Sequence, residues 1–203
     1  MADKVQTELD QALRGAVEMI STIAELRDPF THMHERRVSE VAVATAIAEE
    51  LRLDANRVEG IRIAAGLHDI GKIGTPAEII SKPGRLTPNE FEFIKLHAQQ
   101  GYEILKGVNF PWPLAQVALE HHERLDGSGY PQGLKGDAII LEARIIAVAD
   151  VVEAMASHRP YRQALGVEEA LGEIERGRGV TFDPAVADAC LRLFRDKGYK
   201  IPG

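Results

Sequence analysis

Apolar residues in this chain recur at intervals of three and four along almost every long segment, and few stretches alternate with the period of two that a half-buried strand needs. The segment "ILEARIIAVADVVEAMASH" is apolar around most of its circumference and is expected to be a helix of the core. Val38, Val41, Thr45, Ala48 and Leu51 mark another helix, running up to "LRLD". A third covers "DANRVEGIRIAAGLHDIGKIG", with Asp54 as its cap and Gly71 and Gly74 near its end. Thr87 followed by Pro88 opens a fourth at "LTPNEFEFIKLHAQQGYEIL". "PWPLAQVALEHHE", "GVEEALGEIERG" and "DPAVADACLRLFRDKG" supply further helices. The expected fold is all-α, a helical bundle with one long glycine-rich loop over residues 124–138.

Leu9, Leu13, Ala16, Ile20 and Ile23 continue the pattern at the start of the chain, over two heptads. Such a helix packs on its own domain or pairs with a second copy as a short coiled coil. Residues 1–27 are therefore read as an amphipathic helix that could link or dimerise, and residues 28–203 as the working domain. At 203 residues the chain can bury one sizeable core. Its net charge of −7, without a long Lys/Arg run, argues against DNA or RNA as partner. The single cysteine, Cys190, excludes an internal disulfide and a Cys-rich zinc site, so any metal must take N and O ligands. No apolar run approaches the ~20 residues of a membrane span, and the opening lacks a signal core. A cytoplasmic protein is expected.

The residues with chemistry to offer cluster in kind. His68 and Asp69 are adjacent at the end of an apolar helix, and alone they read first as an end-of-helix histidine beside an exposed acid. They are not alone. His34, His97, His121, His122 and Asp150 also fall on or at the ends of expected helices, and they use most of the chain's seven histidines. Five imidazoles and two carboxylates are too many for one tetrahedral zinc, so two divalent transition metals are inferred, with Fe, Mn, Ni, Co and Zn all suited to mixed N/O ligation. Two such ions roughly 3.5–4 Å apart can hold a hydroxide between them near neutral pH and neutralise a phosphoryl group under attack. Phosphate esters are the natural substrates.

With these residues identified, the chain from about Arg27 to Phe194 resembles the HD-GYP subgroup of the HD phosphohydrolase superfamily. The motifs are His68-Asp69 in "HDIGK" and Gly129-Tyr130-Pro131 in "HHERLDGSGYPQGL", with "HERRV", "LHAQQGYEIL", "ADVVEAM", "RPYR" and "FDP" as further matching pieces. The resemblance implies an HD-domain helical bundle acting as a metal-dependent phosphodiesterase, opening cyclic di-GMP to pGpG or onward to GMP. It implies that His34, His68, Asp69 and Asp150 surround one metal, that Asp69 bridges to the other, and that His97, His121 and His122 hold that second ion, with Fe favoured. Lys72 matches the lysine that steadies the scissile phosphate, against the alternative of a solvated lysine. Arg159 and Arg162 match positions that contact substrate phosphate or guanine, against the alternative of surface charges. The glycines let the loop after the histidine doublet turn tightly, and Glu123, Asp126 and Tyr130 are read as its scaffold or as contacts for a signalling-protein partner.

Two positions depart from the family's pattern. Some members carry a glutamate one turn before the first histidine and hold a third metal with it, whereas position 30 is phenylalanine. Two metals and a product that stops at pGpG are the expectation. Position 153 is glutamate where aspartate is common, a longer acid behind the ligands. His32 and His158 match no ligand position. A rival reading is a catalytically weak module that binds a cyclic dinucleotide or a partner protein, and a further one keeps the chemistry with a different cyclic nucleotide.

Overall fold

The computed structural model describes residues 11–13, 15–20, 22–23, 31–46, 51–82, 84–158 and 163–202. Among them the chain is all-helical, and its one pairing of extended type is an isolated bridge between Arg178 and Phe182. The long helices are α1 (Thr31–Ala46), α2 (Ala55–Leu67), α4 (Pro88–Leu105), α6 (Leu141–Ala156), α7 (Val167–Gly177) and α8 (Pro184–Arg195), with short helices α3 (Ala77–Ile80) and α5 (Leu114–Glu120). Two 3-10 turns, Ile70–Gly74 and Gly136–Ala138, join them, and the described residues between 11 and 23 are helical as well.

Helix α6 lies at the centre, as its apolar sequence requires. Ile145, Ile146, Val148, Ala149 and Val152 are buried along it, and α1 and α7 pack on it. Val38, Val41 and Thr45 are buried on α1, as their spacing predicts, together with His34, Glu35, Ala42 and Val43, while Ala48 lies outside the described residues. At the start of the chain Leu13, Val17 and Ile20 pack against this same core, whereas Met19 and Ile23 are exposed; Leu9 lies outside the described residues. Among the described residues no helix is long and apolar enough to cross a membrane.

Helix starts follow their local chemistry. Asp54 accepts from the Arg57 amide at 2.8 Å, and Thr87 and Glu90 form a reciprocal capping box at the head of α4. One helix end does not follow the sequence expectation. Helix α2 stops at Leu67, and the chain tightens into the 3-10 turn Ile70–Gly74 instead of continuing as α-helix to Gly74. The cause is a tertiary contact. The turn lies against α4 so closely that a Cβ on Gly71 would stand 2.0 Å from the His97 carbonyl oxygen and 2.5 Å from the Gly101 nitrogen. Only glycine admits that approach.

Gly71→Ala is therefore expected to destabilise the fold by about 1–3 kcal/mol, since backbone rather than a flexible side chain blocks the added methyl. Gly107→Ala, whose methyl meets nothing within 4 Å, is the control and should stay within about 0.5 kcal/mol. Thermal midpoints by circular dichroism measure both, and equal midpoints would contradict the account of this contact.

Candidate metal centre

Five elements converge on one buried polar volume. His34 comes from α1, His68 and Asp69 from the end of α2, His97 from α4, His121 and His122 from the end of α5, and Asp150 from α6. His68 keeps helical angles (φ −58°, ψ −33°), while Asp69 leaves them at φ −98°, ψ 7°. Consecutive residues within a helix diverge by about 100°. The break at Asp69 brings both side chains to one side, with His68 Nε2 3.5 Å from Asp69 Oδ2.

The imidazoles are oriented from behind. His68 donates its Nδ1–H to the Ala65 carbonyl at 2.7 Å, His97 to Ile94 at 2.7 Å and His121 to Ala118 at 2.9 Å. A carbonyl only accepts, so each proton sits on Nδ1 and each Nε2 keeps a bare lone pair. His34 uses a carboxylate for the same purpose. Its Nδ1 contacts Glu153, which is 1% exposed, accepts from the Ser157 hydroxyl at 2.6 Å and faces the Arg37 guanidinium at 3.6 Å.

The bare atoms converge in two groups. Ligand atoms of Asp69, His97, His121 and His122 lie within 4.8 Å of one another, and so do those of His34, His68 and Asp150. The Nε2 atoms of His97 and His121 are 3.2 Å apart, and Asp69 Oδ1 stands 3.2 Å from the former and 3.8 Å from the latter. The groups adjoin through His68 and His121, whose ring centres are 4.9 Å apart. Two facing lone pairs have no proton to share, and His68 Nε2 is buried without a hydrogen-bond partner, a state that costs about 1–3 kcal/mol. A divalent cation in each group answers both problems, so the residues fit a metal.

Charges fit as well. Burial pushes the imidazoles of His68, His121 and His122 below their ordinary value, and for the last two neighbouring imidazoles push further, which keeps them neutral as ligands. Burial alone would raise Asp69, but the Lys72 ammonium at 2.5 Å and the adjoining imidazoles hold it well below the carboxylate range. Asp150 is likewise lowered against burial, chiefly by His34, whose Nε2 is 3.1 Å from its Oδ1. The 3-10 turn is what places Lys72 on Asp69.

The loop after the doublet is held by the two glutamates that flank it in "EHHE". Glu123, 2% exposed, accepts from the amides of Gln132 at 2.7 Å, Gly133 at 3.1 Å and Leu134 at 3.0 Å. Glu120 accepts from the Ile140 amide at 2.8 Å where the loop ends. Gly129 closes the turn, because a Cβ there would meet Glu123 Cα at 2.4 Å. Tyr130 tilts its ring over His122 with centres 4.6 Å apart, and burial together with the nearby Asp69 and Asp150 carboxylates raises its phenol, which stays protonated. Glu120, Arg37 and Ser157 escaped sequence reasoning; only Glu120 left a signal there, as an acid three residues before a loop acid and beside many amides in need of acceptors. Arg159, Arg162 and Phe30 lie outside the described residues, as does the side chain of His32. His158 is exposed and its ring accepts from the Ala164 amide at 3.3 Å, apart from this centre.

The sequence model of the HD domain matches residues 18–186. The chain belongs to the HD domain family. Within that family it is 44% identical over 197 residues to a protein named cyclic di-GMP phosphodiesterase from Thermotoga maritima, covering 96% of this chain and 53% of that one. It is 45% identical over 187 residues to the cyclic di-GMP phosphodiesterase response regulator RpfG of Xanthomonas campestris, covering 91% and 49%. This HD domain thus spans about half the length of the curated relatives it matches. Its fold is shared with the HD domain of the L. monocytogenes phosphodiesterase PgpH, solved in complex with cyclic-di-AMP, at TM-score 0.62 and 22% identity over 91% of this chain and 99% of that one.

The lowered imidazoles give the metal-free HD domain a pH dependence of defined sign. Their folded values lie below the ordinary 6.5, so below about that pH the unfolded chain takes up protons first and stability falls, by up to about 1.4 kcal/mol per pH unit for each imidazole. The depressed carboxylates, ionised throughout this range, begin to add their own loss only as pH approaches the ordinary 3.8. Denaturant titrations of chelator-treated protein between pH 7.5 and 5, chosen as roughly bracketing the imidazole value, should show stability dropping with pH. A flat profile would mean that these imidazoles are not held neutral.

Proposed function

We propose that this HD domain is a metal-dependent phosphodiesterase that opens cyclic di-GMP to pGpG, with two divalent transition metals, iron favoured, held by His34, His68, Asp150, Asp69, His97, His121 and His122. The observation that carries this reading is the convergence of bare Nε2 atoms and two ionised carboxylates in two adjoining groups. Bound as a pair, divalent ions supply Lewis acidity and lower the pKa of water toward neutrality. The remaining chemistry belongs to the chain.

The seven donors include only two charged groups, Asp69 and Asp150. A centre that holds two divalent ions therefore stays net positive and favours an anionic diester over a neutral ester. Lys72 adds a further positive charge at its rim, with a side chain 25% exposed and its Nζ held by Asp69 Oδ2 at 2.5 Å. From there its N–H groups can donate to a phosphoryl oxygen and to the departing ribose oxygen as charge builds on them. Asp69 serves both as ligand and as tether for the cation, which links ligand geometry to charge stabilisation. Arg159 and Arg162 are assigned to the substrate's phosphate or guanine on the resemblance alone. Phenylalanine at position 30 leaves no acid for a third ion there, in keeping with pGpG as the end product.

The glutamate-clamped loop offers a fixed surface for a signalling-protein partner. Pairing with a second copy through the N-terminal helix has less support, because Leu13, Val17 and Ile20 turn to the chain's own core.

Anaerobic incubation of iron- or manganese-loaded protein with cyclic di-GMP, followed by mass spectrometry, is expected to yield pGpG without GMP. Lys72→Ala should keep two metals per chain by elemental analysis and lose about a hundredfold in kcat. Intact cyclic di-GMP over a filled metal site would overturn the enzyme reading in favour of a binding module, and undiminished turnover by the variant would remove Lys72 from the reaction.

A further inference from the structure

Beside His122 lies a cleft of about 400 Å³ that the chemistry above leaves unused, with Phe91, Lys95, Arg124, Tyr130 and Phe182 in its walls. Tyr130 joins it to the metal centre, its ring stacked at 4.6 Å on that of His122. The Lys95 ammonium sits 4.9 Å from the centre of the Phe91 ring and 5.4 Å from that of Tyr130. The Arg124 guanidinium lies 5.3 Å from the centre of Phe182, and its hydrogen bonds run to the main-chain carbonyls of His121 and Glu123.

Packing places Phe182, a member of the core, but gives Phe91 and Lys95 little reason to be where they are. Phe91 is 46% exposed. Lys95 is paired with Glu92, which is 68% exposed, and such surface pairs contribute little to stability. Arg124 is half-buried, and among the described residues its hydrogen bonds reach no carboxylate. One acid in the wall, Glu173, is drawn toward Arg176 at 2.8 Å. The cleft therefore presents two cations and two accessible aromatic rings, Phe91 and Tyr130, over the buried Phe182, the combination on which nucleobases stack and phosphates pair. A cyclic dinucleotide has two phosphodiesters and two bases, and the metal centre engages one diester at a time. The other half must rest beside it.

We propose that this cleft holds the half of the substrate that is not being cut, with a guanine against Phe91 and Tyr130 and the intact phosphodiester between Lys95 and Arg124. The assignment rests on the cyclic di-GMP reading, and binding separates it from turnover. A phosphorothioate analogue of cyclic di-GMP is titrated by calorimetry into metal-loaded wild-type protein and into the Phe91→Ala and Lys95→Ala variants, whose thermal midpoints are measured alongside. The expected result is an approximately tenfold weaker Kd in each variant, the scale of one lost stacking or charge contact, at wild-type midpoints. Wild-type Kd in both variants, or no binding of the analogue to the wild-type protein, overturns the cleft assignment. Weakened binding in the variants of a protein that leaves cyclic di-GMP intact upholds the cleft and overturns only the phosphodiesterase reading.

Discussion

The structure depends on a simple arrangement: buried imidazoles whose Nδ1 protons are given to carbonyls three residues upstream. For His68, His97 and His121 the helix that carries the imidazole also fixes its tautomer, so the bare Nε2 atoms are set by the fold itself. The cost is a cluster of acceptors without donors, 3.2 Å apart at their closest. Such a cluster persists because the surrounding helices over-determine it. The same helices supply the apolar core, since Ala65 of α2, Ala118 of α5 and Ala149 of α6 are all buried in it. Stability of the bundle and orientation of the donors are thus one design.

Two further constraints serve that centre. The close contact of the Ile70–Gly74 turn with α4 ends α2 at His68 and Asp69 and sets Lys72 on Asp69, so a packing demand at one glycine fixes the ammonium that we assign to the substrate. On the other side Glu120 and Glu123 collect loop amides, and Gly129 lets the loop fold back on the histidine doublet. The result is that Tyr130, Arg124 and His122 share one wall, which connects the metal ligands to the neighbouring cleft.

The helices themselves were legible because the code for them is local: Thr87 and Glu90 cap α4, and Asp54 caps α2, as their types and spacing require. The approach of Gly71 to His97 joins residues 26 positions apart (97 − 71), so local period alone carried the α2 helix too far. Candidate donors were visible as an excess of histidine at helix ends, and the resemblance to HD-GYP proteins supplied their grouping. What lies behind them was only partly visible. Glu153 stood out as a departure from pattern, but its partners Ser157 and Arg37 carry no signal in their own residue types. Lys95 and Phe91 likewise read as ordinary members of an amphipathic helix, and only the fold brings them to Tyr130.

We propose that Asp69 stands between two adjoining cation sites built from one pre-oriented set of donors. Anomalous diffraction from crystals saturated with manganese tests it most directly. Two peaks about 3.5–4 Å apart are expected, one bounded by His34, His68 and Asp150, the other by His97, His121 and His122, with Asp69 touching both. A single fully occupied peak, or ions bound away from these residues, would contradict it.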